Sequence, residues 1–284
     1  MDNDISLTFD KPTGGRGRGP APSQKPGSAS DGEGESIYGV FSTEIVSTVG
    51  AGSTKRKETK RALWFAEEID PEDGERTLRV RPLNNNNVPT GDGKAVALGD
   101  FLHEYSPELE YYQSVVYPKM KELDEMLTRA EKQRDKGAFY SAQFGFEEAL
   151  EFDERNVRAN FGLGLTYMAR GDTDKAVDVF RSVVGLDAAF SPEHKHLFNE
   201  FGISLRKSKL FDQAVEYYGR ALEITDDDEN LYYNLARAHF ERGDLDECRE
   251  NLEKALELNP DLDSARQFLD YLDKRGSIPE GPPD

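Results

Sequence analysis

From residue 109 onward, apolar side chains recur at three- and four-residue spacing, broken by short polar stretches. Leu109, Tyr112, Val116, Met120, Leu123, Leu127 and Ala130 make one such stripe, and Leu262, Ala265, Phe268, Leu269 and Leu272 make the last. This period predicts amphipathic helices. Ser106-Pro107-Glu108 is read as the start of the first of them, and Pro118 is expected to kink or split it. Upstream the period shortens to two. Residues 37–49 are rich in β-branched and aromatic side chains, and 62–69 put Leu63 and Phe65 on one face and Trp64 on the other. Leu78 and Val80 then alternate with Thr77, Arg79 and Arg81. The pattern predicts a β-meander with a hairpin turn at Asp73-Gly74 and a short further strand at 95–98. Residues 84–93 read as a polar loop, and the basic run 55–61 as an exposed loop between the first two strands. Three or four strands are marginal alone, so their apolar face is expected to pack on the first helices.

The helical part repeats itself. Gly137, Gly171, Lys209 and Gly243 fall in one column, at steps of 34, 38 and 34 residues. Other columns hold Ala142, Ala176, Ala214 and Cys248; Ala130, Gly164, Gly202 and Ala236; Ala149, Val183, Ala221 and Ala255; and Phe146, Phe180, Tyr218 and Leu252. Small residues let two helices approach closely, and the bulky column fills the space between pairs. Glycine after a first helix can adopt a left-handed C-cap. Asp172 and Asp244 follow such glycines and are expected to cap the next helix, with Glu247 three residues after Asp244. The long step carries four extra residues within Ser191-Pro192-Glu193-His194, which predicts a first helix about one turn longer in the third pair. Asn259-Pro260 ends the last pair.

Self-similarity at 34 residues with a helix–turn–helix pattern resembles the tetratricopeptide repeat family. The expected fold is mainly α: a solenoid of four helix pairs plus a C-terminal capping helix, preceded by a small β-rich domain and a disordered tail. The expected limits are 1–35 for a Gly/Pro/Ser-rich tail, 36–100 for the β-domain and 101–122 for bridging helices. The solenoid takes 123–276, as 123–156, 157–194, 195–228 and 229–262, with the capping helix at 262–276; residues 277–284 form a second tail.

Charge narrows the partners. The chain has 36 basic and 55 acidic residues, a net of −19 at pH 7, and 39 of the acidic residues lie beyond residue 100. Phosphate would be repelled there, so nucleic acid is not the expected partner of the helical part. No apolar run reaches the length of a membrane span, and the single cysteine, Cys248, forms no disulfide framework within the chain. Cytoplasmic residence is the expectation.

The resemblance implies binding of a protein or peptide in a concave groove lined by the first helix of each pair. Carried over column by column, it assigns Leu127 and Glu131 in the first repeat and Arg158, Phe161, Leu165 and Met168 in the second. It assigns Asn199, Ile203, Arg206 and Lys207 in the third, and Asn230, Tyr233, Arg237 and Phe240 in the fourth. Phe161, Leu165 and Phe240 also fit a second reading, packing against neighbouring helices. The lysine–asparagine clamp by which some members hold a C-terminal carboxylate is missing. Its lysine column reads Leu127, Phe161, Asn199 and Tyr233, and its asparagine column Glu131, Leu165, Ile203 and Arg237. A helix or extended peptide with apolar anchors and acidic flanks fits better. His103, His194, His196 and His239 make no metal-binding spacing, and no phosphate-binding glycine loop or nucleophile elbow is present. The expectation is therefore a non-catalytic adaptor or scaffold needing no cofactor. Rival readings are a secretion or assembly chaperone, an RNA-associated protein using Arg16, Arg18 and the run 55–61, and self-association through the groove or a strand edge.

Overall fold

The computed structural model describes residues 36–49, 56–69, 76–191 and 194–276. The expected tails at 1–35 and 277–284 and the turn at Asp73-Gly74 lie outside them. These described residues belong to one compact unit.

Five antiparallel strands lie in the order β4-β3-β2-β1-β5. They are β1 (Tyr38–Val49), β2 (Arg56–Ile69), β3 (Thr77–Pro82), β4 (Lys94–Ala97) and the two-residue β5 (Ser106–Pro107). Two expectations fail here. The basic run is no loop from Arg56 onward; it pairs with β1 from Val49↔Arg56 to Glu44↔Arg61. The second fails in part: Ser106-Pro107 pairs with Phe41 and Ser42, and the helix expected at Ser106-Pro107-Glu108 begins only at Leu109, with Glu108 at its N-cap position; a short helix missed by the pattern, α1 (Leu98–Glu104), precedes them. Both faces of the sheet are covered. On one, Phe101 and Tyr105 stack at 4.6 Å against Ala66, Leu78 and Val80. On the other, Val40 and Phe65 meet Val116, Tyr112 and Met120 at the start of the helical array.

The helical run opens with α2 (Leu109–Tyr111) and a wide turn, Tyr112–Val116, that leads into α3 (Tyr117–Asp135). Pro118 therefore sits in the first turn of α3, where a missing N–H costs nothing. The array continues as α4 (Phe139–Phe152), α5 (Val157–Arg170), α6 (Thr173–Val184), α7 (Lys195–Lys207), α8 (Phe211–Ile224), α9 (Glu229–Arg242), α10 (Leu245–Leu258) and α11 (Asp263–Gly276). Pairs α3/α4, α5/α6, α7/α8 and α9/α10 stack in sequence. The last helix buries Ala265 and Leu272 against α10, with Leu262, Phe268 and Leu269 half-buried and Arg266, Asp270, Asp273 and Lys274 exposed. That is a capping helix with a polar back.

Close approach between helices explains the small columns. A Cβ on Gly164 would lie 2.5 Å from the Phe201 ring, and one on Gly202 would lie 2.5 Å from Tyr218. The break column is left-handed throughout, with φ of 76° at Gly137, 79° at Gly171, 61° at Lys209 and 104° at Gly243. The four extra residues of the long step do not lengthen α7. That helix starts seven residues before Gly202, as α5 starts seven before Gly164, and the extra chain enters the connection that holds the tight turn Asp187–Phe190. Asp172 and Asp244 do not cap either. Their carboxylates turn back to Arg170 at 2.7 Å and to Arg242 and His239. The side chains that do cap are Asn156, accepting from the Ala159 N–H at 2.9 Å, and Asp228, accepting from the Asn230 N–H at 2.8 Å.

A loop joins the sheet to the array. Asn84 Nδ2 donates to the Phe152 carbonyl at 2.7 Å, and Asn86 Nδ2 to the Glu151 and Phe152 carbonyls at 3.1 and 3.0 Å. These carbonyls end α4, where no intrahelical donor remains. Thr90 Oγ1 donates to Asp153 at 2.6 Å, and Asp92 accepts from Arg155 and from the Ala188 N–H. Val88, fully buried, joins the core of the array.

Candidate functional site

The helices α3, α5, α7 and α9 carry every residue that the resemblance assigns to a groove. The structure divides them into two sets. Leu127, Phe161, Leu165, Met168 and Tyr233 are buried. Phe161 is fully enclosed and meets Phe201 of the next repeat edge-on at 5.2 Å. Tyr233 lies 6.4 Å from Phe268 of the capping helix, and Phe240, half-buried, contacts Phe268 and Tyr271 at 5.1 and 6.0 Å. Aromatic pairs at such distances hold neighbouring repeats together. Asn199, Ile203, Arg206 and Arg237 are half-buried, while Asn230 and Lys207 are exposed. The accessible wall is thus more polar than the sequence columns suggest.

Its charges fall into local groups. Arg158 reaches back to α3, with a two-pronged pair to Glu131 at 3.0 Å for each contact and a third bond to Asp124 at 2.7 Å. Burial works against its charge, but the two carboxylates more than compensate and raise its pKa. Arg134 lies 3.3 Å from Glu200 of α7. Between these helix ends opens a cleft of about 380 Å³, lined by Arg134, Leu165, Met168, Glu200, Ser204 and Lys207 among others.

The second group sits between the third and fourth repeats. Arg206 pairs with Glu241 across the α7–α9 contact. Arg237 lies over the Tyr233 ring at 5.9 Å. Burial, and then the neighbouring Arg206 charge, lowers the Arg237 pKa. Beneath them the hydroxyls of Tyr218 and Tyr233 are buried with no hydrogen-bond partner among the described residues. Burial pushes the Tyr218 phenol far above its usual range. Two guanidiniums, Arg206 and Arg237, thus lie close to the Glu241 carboxylate and above two enclosed phenols. Of the two tyrosines, Tyr233 belongs to the expected groove set and Tyr218 was missed by sequence reasoning. Tyr218 belongs to the bulky inter-helix column and gives no sign in sequence that its hydroxyl is enclosed beneath Arg206 and Arg237.

His239, buried, bonds through Nδ1 to Asp244 at 3.3 Å and packs inside the fourth repeat. Cys248 is buried, and burial raises its thiol to about 11. Among the described residues no helix is long and apolar enough to cross a membrane.

Comparison with known proteins agrees with this architecture. Two family models described as tetratricopeptide repeat match residues 134–191 and 205–270. The chain is 32% identical over 98 residues to the peroxisomal targeting signal receptor of Eremothecium gossypii, covering 34% of this chain and 16% of that protein. It is 38% identical over 65 residues to Hsp70-Hsp90 organizing protein 2 of Arabidopsis thaliana, covering 23% of this chain and 11% of that one. The chain thus spans only a small part of these relatives. Among solved structures, MamA from Desulfovibrio magneticus RS-1 is similar at 21% identity and a TM-score of 0.42, over 54% of this chain and 85% of that one. Residues 134–191 and 205–270 match tetratricopeptide repeats, and α3 to α11 pack as helix pairs in the manner of such repeats.

Proposed function

We propose that this chain is a non-catalytic adaptor that binds an acidic segment of a partner protein along the face formed by α3, α5, α7 and α9. The observation that carries the reading is the pair of half-buried guanidiniums, Arg206 and Arg237, at the third and fourth repeats, with Lys207 exposed nearby, in a molecule of net charge −19. Burial and the Arg206 charge both disfavour the Arg237 cation, and a bound carboxylate would favour it. Arginine and tyrosine are also the residues that concentrate binding energy at interfaces. The relatives support the adaptor class, being named for organising chaperones and for receiving a targeting signal. Cytoplasmic residence is part of the proposal, in keeping with a single buried thiol.

The test is capture of partners from the native cell on the full chain and on an Arg237→Gln, Lys207→Gln variant. The wild type should retain a partner that the variant loses, with a fall in affinity of about tenfold or more, and the wild-type complex should weaken as salt rises. An equal yield on both, with unchanged helicity, would remove the face from consideration.

A further inference from the structure

The hairpin of β1 and β2 outruns the rest of the sheet. β3 pairs with β2 only from Trp64 to Ile69, and β5 pairs with β1 only at Phe41 and Ser42. Beyond those limits Thr43–Val49 of β1 has β2 on one side and, among the described residues, no strand on the other. Where β5 stops, an open cleft of about 1020 Å³ begins, with Thr43, Glu44, Ser106, Pro107 and Glu108 among its lining residues.

The backbone direction of this edge can be assigned. The Ile37 carbonyl accepts from Glu68 of β2, and the Val40 carbonyl accepts from the Glu108 N–H on the opposite side. Antiparallel pairing alternates strictly, so odd-numbered residues of β1 bond to β2 and even-numbered ones face outward. Glu44, Val46 and Thr48 therefore present their N–H and C=O groups at the open edge.

We propose that this edge pairs with the same edge of a second copy of the chain, antiparallel, about a two-fold axis at Val46. Three features select a second copy. The segment Thr43-Glu44-Ile45-Val46-Ser47-Thr48-Val49 is dominated by β-branched residues and lacks the lysine or proline that usually blunts an exposed edge. Its charge pattern is self-compatible. Centring on Val46 sets Glu44 opposite Thr48, whereas centring on Glu44 would oppose two carboxylates. The Val46 register uses all three outward residues on each copy, giving about six interchain hydrogen bonds. It also turns two two-stranded ribbons, each marginal alone, into one four-stranded sheet. The contact is isologous and closes on itself, so it yields a dimer and not a fibre.

The experiment is sedimentation equilibrium of the full chain over a wide concentration range, with amide exchange read at both ends of the range. The wild type should pass from monomer to dimer, and the Glu44, Val46 and Thr48 amides should become protected as it does. Val46→Pro removes an N–H that β2 does not use and should weaken the dimer by about tenfold or more. Val46→Lys keeps every N–H but brings two positive charges to the axis and should also dissociate it. Circular dichroism of both variants should match the wild type. A wild-type chain that stays monomeric, or a dimer that survives both substitutions, overturns the proposal. Protection of those amides only when a foreign protein is added would place that protein's strand on the edge, and would overturn it equally.

Discussion

Lys209 holds the place that glycine holds in the other three helix pairs, and it takes the same left-handed backbone, with φ of 61°. A side chain there is strained by about 1 kcal/mol. Lys209→Gly should stabilise the chain by roughly that amount, read as a higher urea midpoint at unchanged slope; a lower midpoint would mean that the lysine makes a compensating contact. Gly164 and Gly202 obey the opposite logic, because space and not φ demands them. Gly164→Ala would drive a methyl into the Phe201 ring, for which an overpacking cost of about 1–3 kcal/mol is expected in the same assay. Both constraints were legible in sequence, since each column showed a small residue recurring at a fixed step. The exposure of Phe161 was not. One residue type serves a groove and a core equally well, and only the stacked neighbour Phe201 decides between them. Phe161→Ala should therefore cost about 3–5 kcal/mol in stability, so that a loss of binding in that variant would report on folding.

Among the elements, helix ends separate what pattern reveals from what it hides. The breaks at Gly171 and Gly243 fall where the sequence places them, yet the aspartates that follow serve Arg170, Arg242 and His239. A capping residue type marks a helix start, but competition from a nearby guanidinium decides where the carboxylate points. Asp228 shows the other outcome. It caps α9 and also accepts from Lys195 of α7 at 2.8 Å. Burial opposes its ionisation, but the Lys195 bond and the Asn230 N–H outweigh it, so its pKa falls below the ordinary 3.8. A depressed carboxylate stabilises the fold fully above its unfolded value, and that contribution is lost as pH falls through the folded value. Asp228→Ala should cost about 1 kcal/mol at neutral pH. The deficit should shrink below pH 3.8, when wild type and variant are compared by urea unfolding along a pH series. A deficit independent of pH would show that the charge contributes nothing. The strands were readable from period two wherever one face is apolar. β5 and α1 were not, because two residues and seven residues carry too little period to register.

At the scale of the whole molecule, the sheet and the helical array are joined by a loop that sequence alone shows only as a run of asparagines. Its side chains supply the donors that the end of α4 lacks, and Thr90 reaches the buried carboxylate of Asp153. Burial raises the Asp153 pKa above 3.8, and the Thr90 hydroxyl and the Arg155 N–H only partly counter it. The folded chain thus holds that proton more tightly than the unfolded chain does. Stability attributable to this group is highest below the unfolded value and declines as pH rises from 3.8 through the folded value, staying reduced above it. The charge is tolerated because its oxygen anchors the loop. Asp153→Asn keeps an oxygen for Thr90 and removes the buried charge. It should leave the sheet attached, flatten the decline in stability above pH 3.8 and match or exceed the wild type at neutral pH. Thr90→Val supplies the converse: the charge stays, its donor goes, and a loss of about 1–3 kcal/mol is expected. Exchange of the β3 and β4 amides should rise with that loss, since the loop holds their end of the sheet to α4 and α5. A Thr90→Val chain as stable as the wild type, with those amides equally protected, would show that Val88 and the asparagines fasten the two parts without it.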